Sequence, residues 1–463
     1  MDPFDTLMYR SEGDPRSRST LTGLFILDRA PDWDRVVAGY ERITRVVPQL
    51  RERVVEPLLP VTAPAWVIDP DFDLHYHLRR LRVPGPGTQQ QLLELLEPMV
   101  MAPFDRARPL WEVTLIEGLE NGEAAWVIKM SHAVSDGVGG QALAADVFDA
   151  VPDPEPKAVP PRPVPHDLTP NEMLQAAIRR APLSLAETVF RVGERAARIA
   201  LTTARHPHES AAETAGYVRS LRRVMSGPPT SPSPLLQERG LRRRLFVLEV
   251  GQDALRAGSK AAGGSLNDGY LAALCGALRH YHEQLGLPVA SVPVAVPISL
   301  RTGDDPAGGN RWAGARLALP VHEEDPVERI RDIRQQILEA RHEPATSAMS
   351  LVAPVAARLP MWLLTTLFSG IGMGVDIQAS NVPGSPEPFY ISGARVIKMF
   401  PFGPLPGPAA MITLHSYAGT CFIGVNLDPA AITEPDLFMS AFDDGLSDIV
   451  ALSGPRRRRG SSA

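Results

Sequence analysis

Two α/β domains joined by a long connection are the fold class that this sequence predicts, and three observations carry the prediction. The chain has 463 residues, 44% of them hydrophobic and 22% charged, which is more apolar length than one compact core usually holds. Strand-like and helix-like segments alternate through residues 1–150 and do so again through 241–455. Between the two halves lie proline-dense stretches, Val151–Pro165 and Gly227–Pro234, that cannot hold regular structure.

In the first half, strands are expected at Leu21–Leu27, Ala65–Val83, Leu110–Leu119 and Ala124–Val134, because β-prone apolar residues dominate there. Helices are expected at Trp33–Val47 and Gln89–Val100, where apolar residues recur at helical spacing. The first domain ends near residue 150. Residues 151–240 form the connection: a proline-rich linker, then helical composition over Asn171–Met225, broken at Pro182 and at His206-Pro207-His208. A new strand begins within Leu241–Val250. The second domain, 241–455, repeats the plan, with helices at Ser265–Glu283, Pro326–His342 and Glu434–Leu452 and strands at Val292–Leu300, Ala313–Pro320, Met411–Ser416 and Thr420–Leu427. Residues 456–463 are a basic tail. Leu359–Val375 lacks charges but contains Pro360 and three glycines, short of the ~20 apolar residues of a membrane span, and reads as a buried helix and turn.

The net charge of −6 argues against a general nucleic-acid binder, which needs basic side chains to neutralise phosphates. Only Cys275 and Cys421 occur, so no disulfide framework or thiolate metal site is indicated. The opening Met1-Asp2-Pro3-Phe4-Asp5 has neither a basic start nor an apolar core, and a cytoplasmic location is expected. The pairs His75-Tyr76-His77, read as lying on a strand, and His206-Pro207-His208 lack a convincing third metal ligand. Gly137-Val138-Gly139-Gly140 is not a dinucleotide fingerprint, and neither a G-x-S-x-G element nor a P-loop lysine is present. A nucleophile would therefore come from a substrate.

The chemistry concentrates in Ser131-His132-Ala133-Val134-Ser135-Asp136-Gly137, directly after a strand-like run. A neutral imidazole titrates near working pH, so His132 suits the removal of a proton from an attacking alcohol. Asp136 suits holding the loop, by accepting a backbone or arginine hydrogen bond. Gly137 and the glycines after it let the backbone turn. Alone, the pattern is equally compatible with a structural histidine.

Further motifs accompany it. Pro3-Phe4-Asp5, Phe104-Asp105-Arg106-Ala107-Arg108-Pro109-Leu110-Trp111-Glu112, Asn267-Asp268, Val296-Pro297-Ile298-Ser299-Leu300-Arg301, Gly309-Asn310-Arg311 and Ser380-Asn381-Val382-Pro383-Gly384 occur in that order. With them the chain resembles, nearly end to end, the bacterial wax ester synthase/diacylglycerol acyltransferase family of the CoA-dependent acyltransferase superfamily. That family usually reads HHxxxDG where this chain has Ser131 before His132. The second histidine, the superfamily's base, is retained, and Ser131 keeps one hydrogen bond to donate.

The resemblance implies two chloramphenicol acetyltransferase-like domains facing each other, with His132 at their interface. It implies His132, Asp136 and Asn267 as catalytic residues, Asn267 reaching the centre from the second domain. Ser131, Gly137, Asp268, Arg301, Pro109, Leu110, Trp111 and Asn381 are implied as support. Asn267 and Asp268 also read as helix caps, Trp111 as core packing, and Arg301 equally as the partner of a carboxylate such as Asp136 or as a member of an ion pair elsewhere. The implied activity is acyl transfer from acyl-CoA to diacylglycerol or a long-chain alcohol, with no cofactor. Peripheral contact with a membrane or lipid droplet is implied too, through arginines of Asn171–Met225 or the tail, and a homodimer is compatible with the family. Two other readings stay open: a transferase using a different alcohol, and a non-catalytic lipid-binding descendant.

Overall fold

The computed structural model describes residues 1, 3–57, 64–134, 147–165, 169, 171–173, 175, 230–299, 312–341 and 374–454. Most of the expected Asn171–Met225 helices, nearly all of Leu359–Val375 and the basic tail lie outside these residues, as do Asp136, Gly137 and Arg301.

The first half opens with a helix, α1 (Pro3–Ser11), absent from the sequence-based expectation, and then strand β1 (Thr20–Leu27). Helix α2 (Trp33–Val46) starts where the Asp32 side chain accepts the Arg35 N–H, and it buries Val36, Tyr40 and Ile43 on one face. A short hairpin pairs β2 (Glu52–Val55) with β3 (Ala65–Ile68). The single strand expected over Ala65–Val83 is interrupted by a one-turn helix, α3 (Leu74–His77), before β4 (Leu78–Arg82). The cause is local: Pro70 follows Asp69, and the Asp73 side chain accepts the His75 N–H, capping a helical turn. His75-Tyr76-His77 is therefore helical. Helix α4 (Gln89–Met101) begins with a reciprocal Thr88–Gln91 capping box, and β5 (Trp111–Glu117) and β6 (Ala124–Ser131) follow as an antiparallel pair.

In the second half β7 (Arg244–Gly251) leads into α5 (Gln252–Ala261) and α6 (Leu266–Gln284), followed by β8 (Val292–Ser299), β9 (Trp312–Leu319) and α7 (Pro326–Arg341). Strands β10 (Ile377–Val382), β11 (Tyr390–Ile391), β12 (Ala394–Phe402), β13 (Ala410–Tyr417) and β14 (Thr420–Leu427) precede the last helix, α8 (Pro435–Ala451). Of the Ser380-Asn381-Val382-Pro383-Gly384 motif, the first three residues belong to β10 and only Pro383 and Gly384 leave it. This run is held by parallel pairing with β13, and Ile377 and Gln378 before it also pair with β8, a non-local partnership that its short polar sequence does not announce.

Two six-stranded sheets result, ordered β11-β12-β1-β6-β5-β4 and β7-β14-β13-β10-β8-β9. The first sheet thus borrows β12 from the second half: Thr22 stands opposite Phe402 and Leu24 opposite Phe400. Helix α6 is the hub of the second half, with Tyr270 through Cys275 completely buried; the Tyr270 hydroxyl donates to the Ile412 carbonyl at 3.0 Å. The first core includes Phe400 and Phe402 together with Tyr417 and Phe422 from the second sheet. Arg244 pairs with Glu97 of the first half at 2.9 Å, while between the two sheets Lys398 of β12 pairs with Glu249 of β7 at 2.7 Å and Asn426 Nδ2 of β14 donates to the Gly403 carbonyl, just past β12, at 2.9 Å. Among the described residues no helix is long and apolar enough to cross a membrane.

Candidate active site

His132 is the first residue beyond β6, in a turn where the Val134 N–H donates to the Ser131 carbonyl at 3.0 Å. Apolar Ala124, Ala125, Trp126 and Val127 bury the strand in the first core, so its end is a rigid platform. Two backbone bonds fix the turn. Ser131 N–H donates to the Leu110 carbonyl at 3.0 Å and His132 N–H donates to the Ser19 carbonyl at 3.1 Å, tying it to the residues just before β5 and β1.

The His132 side chain is half-buried. Burial lowers its pKa below the ordinary 6.5, opposed by a hydrogen bond between the ring and the residue's own backbone. The ring is therefore neutral at pH 7. A neutral imidazole keeps one ring nitrogen with a free lone pair, which is what a proton acceptor needs.

Ser131 is completely buried, its hydroxyl oxygen accepts the Ala133 N–H at 3.4 Å, and its hydroxyl is among those that act on the carboxyl of Glu12. Glu12 is itself only 7% exposed. Its Oε1 lies 3.0 Å from Ser19 Oγ and its Oε2 3.0 Å from Thr20 Oγ1. Burial pushes the Glu12 carboxyl above the usual carboxylate range, against the pull of those hydroxyls and of the Arg18 charge. Sequence reasoning missed Glu12, Ser19 and Thr20. Their only signal in the chain is position, a carboxylate following an opening helix and hydroxyls preceding a strand.

The Pro109-Leu110-Trp111 block supports this end of the sheet from beneath. All three residues are buried. Trp111 donates Nε1–H to the Leu50 carbonyl at 2.8 Å and stacks on His77, ring centroids 4.5 Å apart; its contacts are core contacts. Burial drops the pKa of His77 to about 4, partly countered by its bond to the Trp111 carbonyl at 2.8 Å. Nearby, Lys129 is 3% exposed, donates to the Ala102 carbonyl at 2.8 Å and lies 4.5 Å from the centre of the Phe104 ring.

The remaining predicted residues stand on the second half. Asn267 is half-buried in the first turn of α6. Asp268 is the reciprocal partner of the Ser265 cap, accepting the Ser265 N–H at 2.7 Å, and it pairs with Arg334 at 3.4 Å. Asn381, on β10, faces Leu414 of β13 in register. The structure thus brings Ser131, His132, Leu110 and Trp111 together at the ends of β5 and β6, and leaves Asn267, Asp268 and Asn381 on the facing half's elements. Among the described residues no group of His, Cys, Asp and Glu gathers as a metal site.

Comparison with known proteins bears on this arrangement. Residues 1–270 match the model of the wax ester synthase/diacylglycerol acyltransferase catalytic domain, and residues 308–450 that of the family's C-terminal domain. A Mycobacterium tuberculosis protein classed among the diacylglycerol O-acyltransferases is 42% identical over 98% of this chain and 92% of its own length. A second from that organism is 30% identical over 97% of each. Among solved structures, the wax ester synthase/diacylglycerol acyltransferase of Marinobacter aquaeolei VT8 superposes with a TM-score of 0.65 at 23% identity, covering 98% of this chain and all of the other. The starter condensation domain of rhizomide synthetase does so at 0.55 and 13% identity, over 97% and 93%. Likeness at such identities speaks to the fold alone, and the fold is the two-domain one that the sequence predicts. Matched by both domain models and by relatives over nearly its full length, the chain belongs to the wax ester synthase/diacylglycerol acyltransferase family of acyltransferases.

Proposed function

We propose that the protein transfers a fatty acyl group from acyl-CoA to the hydroxyl of diacylglycerol or of a long-chain alcohol, with His132 as the general base. The observation that carries the reading is a neutral, half-buried imidazole, held by two backbone bonds at a strand end in a chain of this family. In the proposed step the His132 ring nitrogen takes the alcohol proton as the oxygen attacks the thioester carbonyl. The tetrahedral intermediate then expels the CoA thiolate, which receives that proton from the imidazolium. Acyl-CoA is a co-substrate; no covalent acyl-enzyme and no resident cofactor enters the scheme.

The roles assigned to Asp136, holding the loop, and to Asn267, steadying the base or donating to the oxyanion, belong to this proposal. Losing one oxyanion donor typically costs ~10²–10³ in turnover. Because both product classes are nearly insoluble, the proposal places the enzyme against a membrane or lipid-droplet surface.

The test is CoA release from palmitoyl-CoA with diacylglycerol or hexadecanol, with lipid products separated by chromatography, in native protein and His132→Ala. Acceptor-dependent turnover that disappears in the variant supports the activity and the base, and the product names the acceptor. Native protein as inert as the variant with both acceptors would turn the argument toward another alcohol or a lipid-binding role.

A further inference from the structure

We propose that the seam between the two halves carries a phosphate-binding site, built on Arg18 and Arg243 beside the strand end that holds His132. A cavity of about 250 Å³ lies there, with Arg18, Thr20 and Met101 of the first half and Arg243, Leu405 and Asn426 of the second among its walls. Arg18 precedes β1, Met101 ends α4, Arg243 leads into β7, Leu405 follows β12 and Asn426 stands on β14. The walls therefore meet only because the fold brings the two halves together. Thr20 ties the cavity to the candidate base: it stands opposite Ser131 in register, and the Ser19 carbonyl before it accepts the His132 N–H at 3.1 Å.

Both guanidiniums are anchored by neutral acceptors. Arg18 Nη1 donates to the Met101 carbonyl, and Arg243 Nη1 to the Gly240 and Arg242 carbonyls at 3.2 and 2.8 Å. Carbonyls fix a side chain without cancelling its charge, and a guanidinium has five N–H donors to place. The Arg243 side chain is only 10% exposed, and the carboxylate beside it, Asp428, lies 3.6 Å away, beyond hydrogen-bonding distance. The Asp428 oxygens already accept the Gly240 and Ala430 N–H groups at 2.6 and 3.0 Å. Arg18 Nε, withdrawn from water, has no hydrogen-bond partner among the described residues. Glu12 feels the Arg18 charge, but its carboxyl is bonded by Ser19 and Thr20 and burial raises its pKa.

Two positive charges thus share one confined wall in a chain whose net charge is −6. Confinement makes like charges costly until an anion joins them, and phosphate oxygens match the planar guanidinium fork bidentately. Asn426 narrows the ligand further. It is 2% exposed, its Nδ2 donates to the Gly403 carbonyl at 2.9 Å, and its Oδ1 has no partner among the described residues. A ligand with N–H or O–H groups next to its phosphate would satisfy that buried acceptor. The pantetheine arm of acyl-CoA carries both; phosphatidic acid, a lipid source of the same chemistry, carries neither outside its phosphate. The site stands apart from the function proposed above, and only the assignment of its phosphate to acyl-CoA rests on that reading.

The experiment is titration calorimetry on the full-length protein with two probe pairs, 4′-phosphopantetheine against pantetheine and dioctanoyl phosphatidic acid against dioctanoylglycerol. Each pair differs by one phosphate. Native protein is compared with Arg18→Gln, Arg243→Gln and two controls, Arg16→Gln and Arg242→Gln, which remove the same charge at exposed neighbours outside the cavity. A hydrogen bond to a charged group corresponds to about 10- to 100-fold in affinity. That loss is expected for the phosphate-bearing probe in both cavity variants, with the controls within about twofold of native. Loss with 4′-phosphopantetheine names acyl-CoA as the source, and loss with phosphatidic acid alone names a lipid. Arg18→Lys and Arg243→Lys keep the charge but lose the fork, and serve where a Gln variant does not fold; each should bind the phosphate probe more weakly than native.

Native protein that prefers neither phosphate-bearing probe would overturn the proposal, as would equal losses in cavity variants and controls, or native affinity in both Lys variants. Binding is read without turnover, so the two proposals fail separately. Protein inert in acyl transfer that keeps the phosphate preference defeats the reaction and upholds the site; active protein that binds both members of each pair alike defeats the site alone.

Discussion

Gly424 on β14 is a point of close approach between the two sheets, and replacing it with alanine tests how they are joined. A Cβ built there would stand 2.0 Å from the Pro401 carbonyl oxygen, 2.9 Å from its carbon and 3.2 Å from the Phe402 ring. Ordinary carbon–oxygen contact is about 3.3 Å or more, so β14 and β12 must part by roughly 1.3 Å. Neither strand can yield cheaply, since β12 is paired along its length with β1, and β14 with β13 and β7. Overpacking usually costs 1–3 kcal/mol; with backbone as the obstacle, the upper end, about 3 kcal/mol, is expected. Gly39→Ala, in the interior of α2 with nothing within 4 Å of the added carbon, is the control, expected to stabilise by up to about 1 kcal/mol. Urea unfolding followed by far-ultraviolet circular dichroism and by fluorescence of the buried Trp111 and Trp126 measures both. A Gly424→Ala midpoint equal to the native one would refute the close approach of the sheets.

Two further outcomes concern pH. His77 is completely buried, with its pKa at about 4 instead of 6.5, so as the pH falls through this window the unfolded chain takes up a proton that the folded chain refuses. Its contribution to stability is present above pH 6.5 and is lost toward pH 4, roughly 2 kcal/mol of it between pH 7 and pH 5; His77→Gln should flatten that part of the stability–pH curve, and an unaltered slope would count against it. For His132 the lowered pKa keeps the base neutral, so the acid limb of kcat/KM should fall below pH 6.5. A limb centred at or above 6.5 would contradict the buried environment assigned to the ring.

Elements governed by local rules were legible in the sequence: the capped, amphipathic α2 and α4, the buried α6, and strands β1, β5, β6, β8, β13 and β14. Local chemistry also explains the error at Ala65–Val83, where apolar residues flanking Pro70 and Asp73 were read through a helical turn. The histidine of the candidate site was legible for a different reason, since its motif is contiguous and sits at a strand end. The bond that holds it was not, because the Ser19 carbonyl meets the His132 N–H only where β1 and β6 have paired.

What the sequence by itself determined is the kind of chain this is: two α/β halves, the order of most elements and the family, with His132 as the residue on which the proposed chemistry turns. Periodicity and motif spacing encode these locally, so no folding is needed to read them. The tertiary structure decided which strands become neighbours. It sends β12 out of its own half to lie against β1, registers Thr22 with Phe402, and brings the Ser19 carbonyl to the His132 N–H. Strand pairing and burial are non-local: the free energy that selects a partner comes from apolar surface and backbone bonds contributed by residues hundreds of positions apart, and no window of sequence contains both sides.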